Sequence, residues 1–156
     1  MKTEDQVVLV KTLHVTSPAF QHLDPLPAKY TCEGANINPP LDIAGIPAET
    51  KSLALIIDDP DAALTTFVHW IVWNIPVMAH LKENSIAGEE GRNDFRKQHY
   101  GGPCPPSGTH HYFFKVYALD TMLDLPPDTK KKQLLKAMEG HILAKGEMIG
   151  MYKRKN

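Results

Sequence analysis

The sequence predicts a mainly-β domain, and three observations carry that reading. Thirteen prolines are scattered through 156 residues, so few stretches are long enough for an uninterrupted helix. Segments 53–58, 68–75 and 112–119 are rich in β-branched or aromatic residues and apolar on both alternating faces, the pattern of strands covered on both sides. Only one stretch, near the C-terminus, shows helical spacing of its apolar residues.

Taken in order, the chain opens with weaker strand patterns at 7–10 and 13–16, followed by proline punctuation at Pro25-Leu26-Pro27 and Asn38-Pro39-Pro40. The two buried runs at 53–58 and 68–75 are predicted to occupy the centre of a sheet. Segment 79–96 is polar, contains Gly88 and Gly91, and follows no period, which predicts a long functional loop. After the third buried strand at 112–119 comes a helix that Asp128 or Thr129 can cap, with Leu134, Leu135, Met138 and Ile142 on one face. Gly140 interrupts that pattern and offers an alternative end to the helix. A last weak strand pattern covers 147–152. No repeat, low-complexity tract or linker-like composition divides the chain, so one domain spanning 1–156 is expected.

Charge excludes several classes of function. Seventeen basic residues balance eighteen acidic ones, so no net field draws the protein to nucleic acid or to an anionic membrane. The basic runs Lys130-Lys131-Lys132 and Lys153-Arg154-Lys155 read as a solvated helix start and a chain end. The N-terminal Met1-Lys2-Thr3-Glu4-Asp5-Gln6 lacks the positive and apolar regions of a secretory signal, and no apolar run reaches membrane-spanning length. A cytoplasmic protein is expected, in which Cys32 and Cys104 are separate reduced thiols.

Chemistry gathers at two strand ends. In Asp58-Asp59-Pro60-Asp61 a buried strand runs straight into three carboxylates, and extended alternation points Asp59 and Asp61 one way and Asp58 the other. His69 lies inside the apolar strand Phe67-Val68-His69-Trp70-Ile71-Val72-Trp73, where a histidine needs a polar partner. The second cluster is Tyr100-Gly101-Gly102-Pro103-Cys104-Pro105-Pro106-Ser107-Gly108-Thr109-His110-His111-Tyr112. Its prolines and glycines define an irregular loop whose backbone amides could line an anion-binding concavity. His110 and Tyr112 then share one strand face, with His111 on the other. Histidine, tyrosine hydroxyl and backbone amide donors, with a carboxylate orienting a histidine, suit an oxyanion.

Two other chemistries compete with anion binding. His99, Cys104, His110 and His111 are zinc-ligand types, but their spacing matches no compact motif, so no metal or other cofactor is expected. A hydrolase would need Asp59 with His69 or His110 as acid and base and Ser107 or water as nucleophile; Ser107 lacks a nucleophile elbow, so no enzymatic activity is expected.

These segments together resemble the phosphatidylethanolamine-binding protein family, in particular its bacterial and archaeal branch, often called Raf kinase inhibitor-like proteins. The resemblance runs through Ser17-Pro18-Ala19-Phe20, Tyr30-Thr31-Cys32-Glu33-Gly34, Asn38-Pro39-Pro40-Leu41 and Lys51-Ser52-Leu53-Ala54-Leu55-Ile56. It continues in Asp59-Pro60-Asp61-Ala62, His69-Trp70-Ile71-Val72-Trp73-Asn74, the Tyr100 to Gly108 loop, His110 with Tyr112, and Gly140-His141-Ile142-Leu143-Ala144. It implies a β-sandwich with a large antiparallel sheet, a smaller sheet and peripheral helices, one of them near the C-terminus. It also implies a small pocket for phosphate, acetate, cacodylate or a phospholipid headgroup, built from Asp59, Asp61, His69, Gly102, Pro103, His110 and Tyr112. A protein partner such as a kinase and assembly as a homodimer are further implications. The chain departs from the family pattern at Ala63, where a proline is usual, and at His111, where an arginine is usual.

Overall fold

The computed structural model describes residues 9–155. Along them run β1 (Lys11–Thr12), β2 (His14–Thr16), β3 (Leu41–Ala44), β4 (Ser52–Asp59), β5 (Phe67–Ile75), β6 (His80–Leu81), β7 (Glu89–Glu90), β8 (His110–Leu119), α1 (Lys131–Met138) and β9 (Ile142–Tyr152). The apolar runs become the middle of a six-stranded sheet in the order β1-β9-β8-β4-β5-β7, and β2-β3-β6 form a smaller sheet. Pairing in the large sheet is antiparallel except at its edge, where β1 lies parallel to β9.

Strand alternation divides the core in two. Leu53, Leu55 and Ile57 of β4, with Phe114 and Val116 of β8, pack toward Val15, Leu41, Ile43 and Leu81 of the small sheet. Ala54 and Ile56, with Ile71 and Trp73 of β5, pack on the opposite side against Leu134 and Met138 of α1. Burying both faces is why these strands are continuous in apolar residues, and each fully buried aliphatic or aromatic side chain stabilises the fold by about 2 kcal/mol.

Four readings of the sequence need correction. Residues 7–8 of the 7–10 strand lie outside the described residues, and Leu9 and Val10 are exposed and unpaired in any strand. The loop at 79–96 contains the two-residue strands β6 and β7. The helix ends at Met138, ahead of Gly140 at φ 79°, and Ile142 opens β9 instead of extending the helical face. Neither Asp128 nor Thr129 caps the helix, because Thr129 closes a turn onto the Pro126 carbonyl and Gln133 Oε1 accepts the Lys130 N–H at 3.0 Å.

The cysteines also depart from expectation: Cys32 and Cys104 form a disulfide, with Cα atoms 5.5 Å apart across a separation of 72 residues. The loops that carry them are already neighbours. The Cys32 N–H donates to the Pro103 carbonyl at 3.1 Å, and the Gly102 N–H donates to Asn36 Oδ1 at 2.8 Å.

Candidate functional site

Where β4, β5 and β8 end together, the face that elsewhere carries Leu55, Ile57 and Phe114 turns polar. A cavity of about 280 Å³ opens there, with Asp59, His69, His110 and Tyr112 in its lining. Alternation delivers Asp59, His110 and Tyr112 to the face that buries apolar residues one step earlier, and a register shift between β4 and β5 at Ile57/Asp58 breaks the alternation of β5 so that His69 joins them. Antiparallel pairing sets the register, with Asp59 opposite Phe67 and Asp58 opposite Phe113.

Asp59 organises the polar end. His110 Nδ1 lies 2.6 Å from Asp59 Oδ2, with the two side chains 13% and 5% exposed. The Asp61 N–H donates to Asp59 Oδ1 at 2.8 Å. Both carboxylate oxygens are thus occupied by donors, which limits the repulsion Asp59 would exert on an anion in the cavity. His110 stacks on Tyr112, with ring centroids 6.4 Å apart and an interplanar angle of 23°.

His69 is held from the opposite side. Its Nδ1–H donates to the Gly101 carbonyl at 2.7 Å, and its own carbonyl accepts Asn93 Nδ2–H at 3.0 Å. Burial holds the imidazole below its ordinary range, against the opposing pull of the Gly101 carbonyl and the Asp59 carboxylate, so it favours the neutral form. The Tyr112 hydroxyl is pushed well above the ordinary tyrosine range by burial and then by Asp59 and Asp61, so it stays protonated. Among the described residues the buried, unpartnered side-chain polar atoms are Thr50 Oγ1, Asp58 Oδ1 and Trp73 Nε1. Among the described residues no protein hydrogen bond is made by the Tyr112 hydroxyl or by His69 Nε2, and both side chains line the cavity.

The remaining residues expected at the site, Asp61, Gly102 and Pro103, are not in the cavity lining, although Asp61 borders it through Asp59. The strand stops at Asp59, so the extended alternation assumed for Asp61 does not apply. Asp61 instead accepts the backbone N–H of His111 at 2.8 Å and pairs with His111 Nδ1 at 2.7 Å. That side-chain hydrogen bond is the main cause holding the Asp61 carboxyl below its ordinary value. Gly102 lines a neighbouring hollow instead of the cavity. The Gly102 amide is spent on Asn36 and the Gly101 amide on the His69 carbonyl, so neither faces an anion. A Cβ at Gly102 would sit 2.4 Å from both Asn36 Oδ1 and the Tyr30 carbonyl oxygen, which makes close packing the reason for that glycine.

The structure adds residues to the lining beyond those expected to bind the ligand. Ala62, Ala63, Phe67, Phe95, Cys104, Pro105 and Pro106 complete the cavity, so its wall is largely apolar and the disulfide forms part of it. Phe95 packs edge-on against Phe67 and His69, at centroid distances of 4.8 and 5.3 Å. Asn93 places it there: buried in the loop read as functional, its Oδ1 accepts the N–H groups of Phe95 and Lys97, both at 3.0 Å. An asparagine among glycines in a long loop is the one signal that pointed to this hub. His99 lines a neighbouring hollow of about 200 Å³ that shares Phe95 and Cys104 with the cavity. Among the described residues, no three His, Cys, Asp or Glu side chains are placed to hold a metal ion, and no helix is long and apolar enough to cross a membrane.

Comparison with known proteins agrees with this architecture. A family model described as phosphatidylethanolamine-binding protein matches residues 16–153. A UPF0098 protein of Pyrococcus horikoshii is 52% identical over 150 residues, covering 89% of this chain and 76% of that protein. A UPF0098 protein of Methanothermobacter thermautotrophicus is 47% identical, covering 91% of this chain and 99% of its own length. Among solved structures, a phosphatidylethanolamine-binding protein homolog from Chlamydia trachomatis superposes with a TM-score of 0.89 at 40% identity, covering 93% of this chain and 99% of that one. An Escherichia coli protein described as a new member of the mammalian family superposes with a TM-score of 0.84 at 31% identity, covering 92% and 99%. The chain therefore belongs to the phosphatidylethanolamine-binding protein family, as one of its bacterial and archaeal type.

Proposed function

We propose that the protein binds a small anionic, phosphate-like group in the cavity lined by Asp59, His69, His110 and Tyr112. The observation that supports this most is the 2.6 Å Asp59–His110 pair set beside an unpartnered Tyr112 hydroxyl. A carboxylate that holds one histidine nitrogen orients the other toward a ligand, and the tyrosine supplies a donor that the protein leaves unused. The apolar wall of Phe67, Phe95 and Pro105 lowers the local dielectric beside a ligand and strengthens those contacts.

Binding without turnover is the reading we favour, because Ser107 is exposed and absent from the cavity lining, the lining holds no serine or threonine among the described residues, and the one hydroxyl there, that of Tyr112, keeps its proton. Occupancy of the cavity would then modulate a signalling or metabolic partner, with a kinase as the example that family analogy offers. Homodimerisation and a cytoplasmic location belong to the same proposal, and light scattering tests the first.

The test is thermal unfolding with and without millimolar phosphate, phosphoethanolamine or acetate. A ligand that binds only the folded state raises the midpoint. The parent protein is expected to shift upward with phosphate, and His110→Ala is expected to lose most of that shift. No shift with any of the three anions would overturn the proposal.

A further inference from the structure

The fold fixes a hydrogen-bond acceptor and a hydrogen-bond donor inside the same cavity. His69 Nδ1 lies 2.7 Å from the Gly101 carbonyl oxygen, an atom that can only accept, so the Nδ1 position carries the proton. The Gly101 N–H returns a hydrogen bond to the His69 carbonyl at 3.3 Å, and Asn93 holds that carbonyl from a second direction at 3.0 Å. Ring flips are opposed further by Phe67, Phe95 and Tyr112, whose centroids lie 5.1, 5.3 and 5.3 Å from the imidazole. Nε2 of the neutral ring is therefore a lone pair, on a side chain that lines the cavity. The charged and titratable groups around it are Asp58 and Asp59 from β4 and His110 and Tyr112 from β8, and burial outweighs the carboxylates in keeping the ring neutral. Tyr112, buried beside Asp59, keeps its proton and can only be useful to a ligand as a donor.

We infer that the cavity selects oxyanions that still carry a proton, a phosphate monoanion or phosphomonoester, with the P–OH group donating to His69 Nε2 and a second phosphate oxygen accepting from the Tyr112 hydroxyl. Sulfate at neutral pH and a phosphodiester, the linkage of an intact phospholipid headgroup, have no such proton. Either would set an oxygen lone pair against the Nε2 lone pair, and a buried site built around one hydrogen bond rejects an analogue that cannot make it. The inference rests on the anion-binding reading above and narrows it from anions in general to protonated phosphates.

Calorimetric titration of the full chain separates the two. Inorganic phosphate and sulfate are compared at pH 7, where every phosphate ion retains a P–OH. Phosphoethanolamine and its diester glycerophosphoethanolamine are compared at pH 6, near the second ionisation of phosphomonoesters at about 6. Phosphate is expected to bind at least about tenfold tighter than sulfate, and the monoester to exceed the diester by a similar factor. In His69→Gln, whose amide can turn an N–H toward the ligand, both ratios should fall toward one. Equal affinities for phosphate and sulfate in the parent protein, or tighter binding of the diester, would overturn the inference while leaving anion binding intact. Binding of none of the four would overturn the anion-binding reading with it. The parent ratios decide the matter even if His69→Gln does not fold.

Discussion

Asp58 and Asp59 are neighbours in one strand, share one chemistry and are almost equally buried, yet they serve opposite sides of the molecule. Asp58 points under α1, where its Oδ2 accepts from Lys131 at 2.6 Å and Lys115 at 3.2 Å while its Oδ1 stays unpaired. Asp59 points into the cavity and holds His110. One carboxylate faces permanent cations with no open space beside it, and that arrangement fastens a helix to a sheet. The other faces a titratable ring beside an open cavity, which leaves donors and acceptors available to a ligand. Strand alternation alone assigns the two roles.

The contrast can be sharpened by removing each support in turn. The cavity side is also tied covalently, because Cys104 lies in its wall. Closing a loop of 72 residues is worth about 4 kcal/mol in the chain-entropy account, so Cys32→Ser with Cys104→Ser should lower stability by roughly that amount in denaturant titrations. The same change should weaken phosphate binding, since among the described residues no hydrogen bond holds residues 104–109. Asp58→Ala comes next. Stripping the partner from two half-buried lysines should cost about 3 kcal/mol of stability while leaving the phosphate-induced shift in place. Unchanged stability would show that the triad does not fasten α1.

Asp59→Ala should show the reverse pattern, a stability loss of about 1–2 kcal/mol together with loss of the phosphate shift. A milder effect follows acidification. Because the folded-state value of His69 is depressed below the ordinary 6.5, the unfolded chain binds the extra proton, so stability is complete above that pH and declines as pH falls below it. Asp61 adds a loss at lower pH, beneath its ordinary 3.8, since its depressed value stabilises the fold only while it is ionised. Melting temperatures between pH 3 and 8 should therefore fall on the acid side, and less steeply above pH 4 in His69→Gln. The smallest effect belongs to His111→Ala, which removes an exposed pair and should change stability by no more than about 0.5 kcal/mol. His110→Ala should weaken phosphate binding by about tenfold or more, measured by calorimetry, while His111→Ala leaves it unaltered. Equal losses in the two variants would contradict the separation of faces.

The parts of the molecule visible in the sequence are those that local periodicity determines. β4, β5 and β8 announce themselves by long, mostly apolar runs, and alternation within β8 already separates His110 and Tyr112 from His111. β3 does not, because Leu41-Asp42-Ile43-Ala44 is short and partly polar, and its pairing with β2 and β6 supplies the order that its composition lacks. The first half of β9 was masked by Ile142, which continues the spacing of Leu134 and Met138 until Gly140 at φ 79° turns the chain. The disulfide and Phe95 depend on loops far apart in sequence, 72 residues in the first case, where no local pattern exists to read. Gly102 and Pro103 are expected at the site from the family resemblance, and the loop's glycines from the close approach they permit. What approaches is the protein's own Asn36 and Tyr30.

The central claim is that the Asp59 side of the strand binds an anion and the Asp58 side does not. Its most direct test is calorimetric titration of phosphate into the parent protein, Asp58→Asn and Asp59→Asn, each first checked for a folded-state melting transition. The account predicts a measurable heat of binding in the parent and in Asp58→Asn, and its loss in Asp59→Asn. Binding by Asp59→Asn as tight as that of the parent, or no binding by the parent at all, would contradict it.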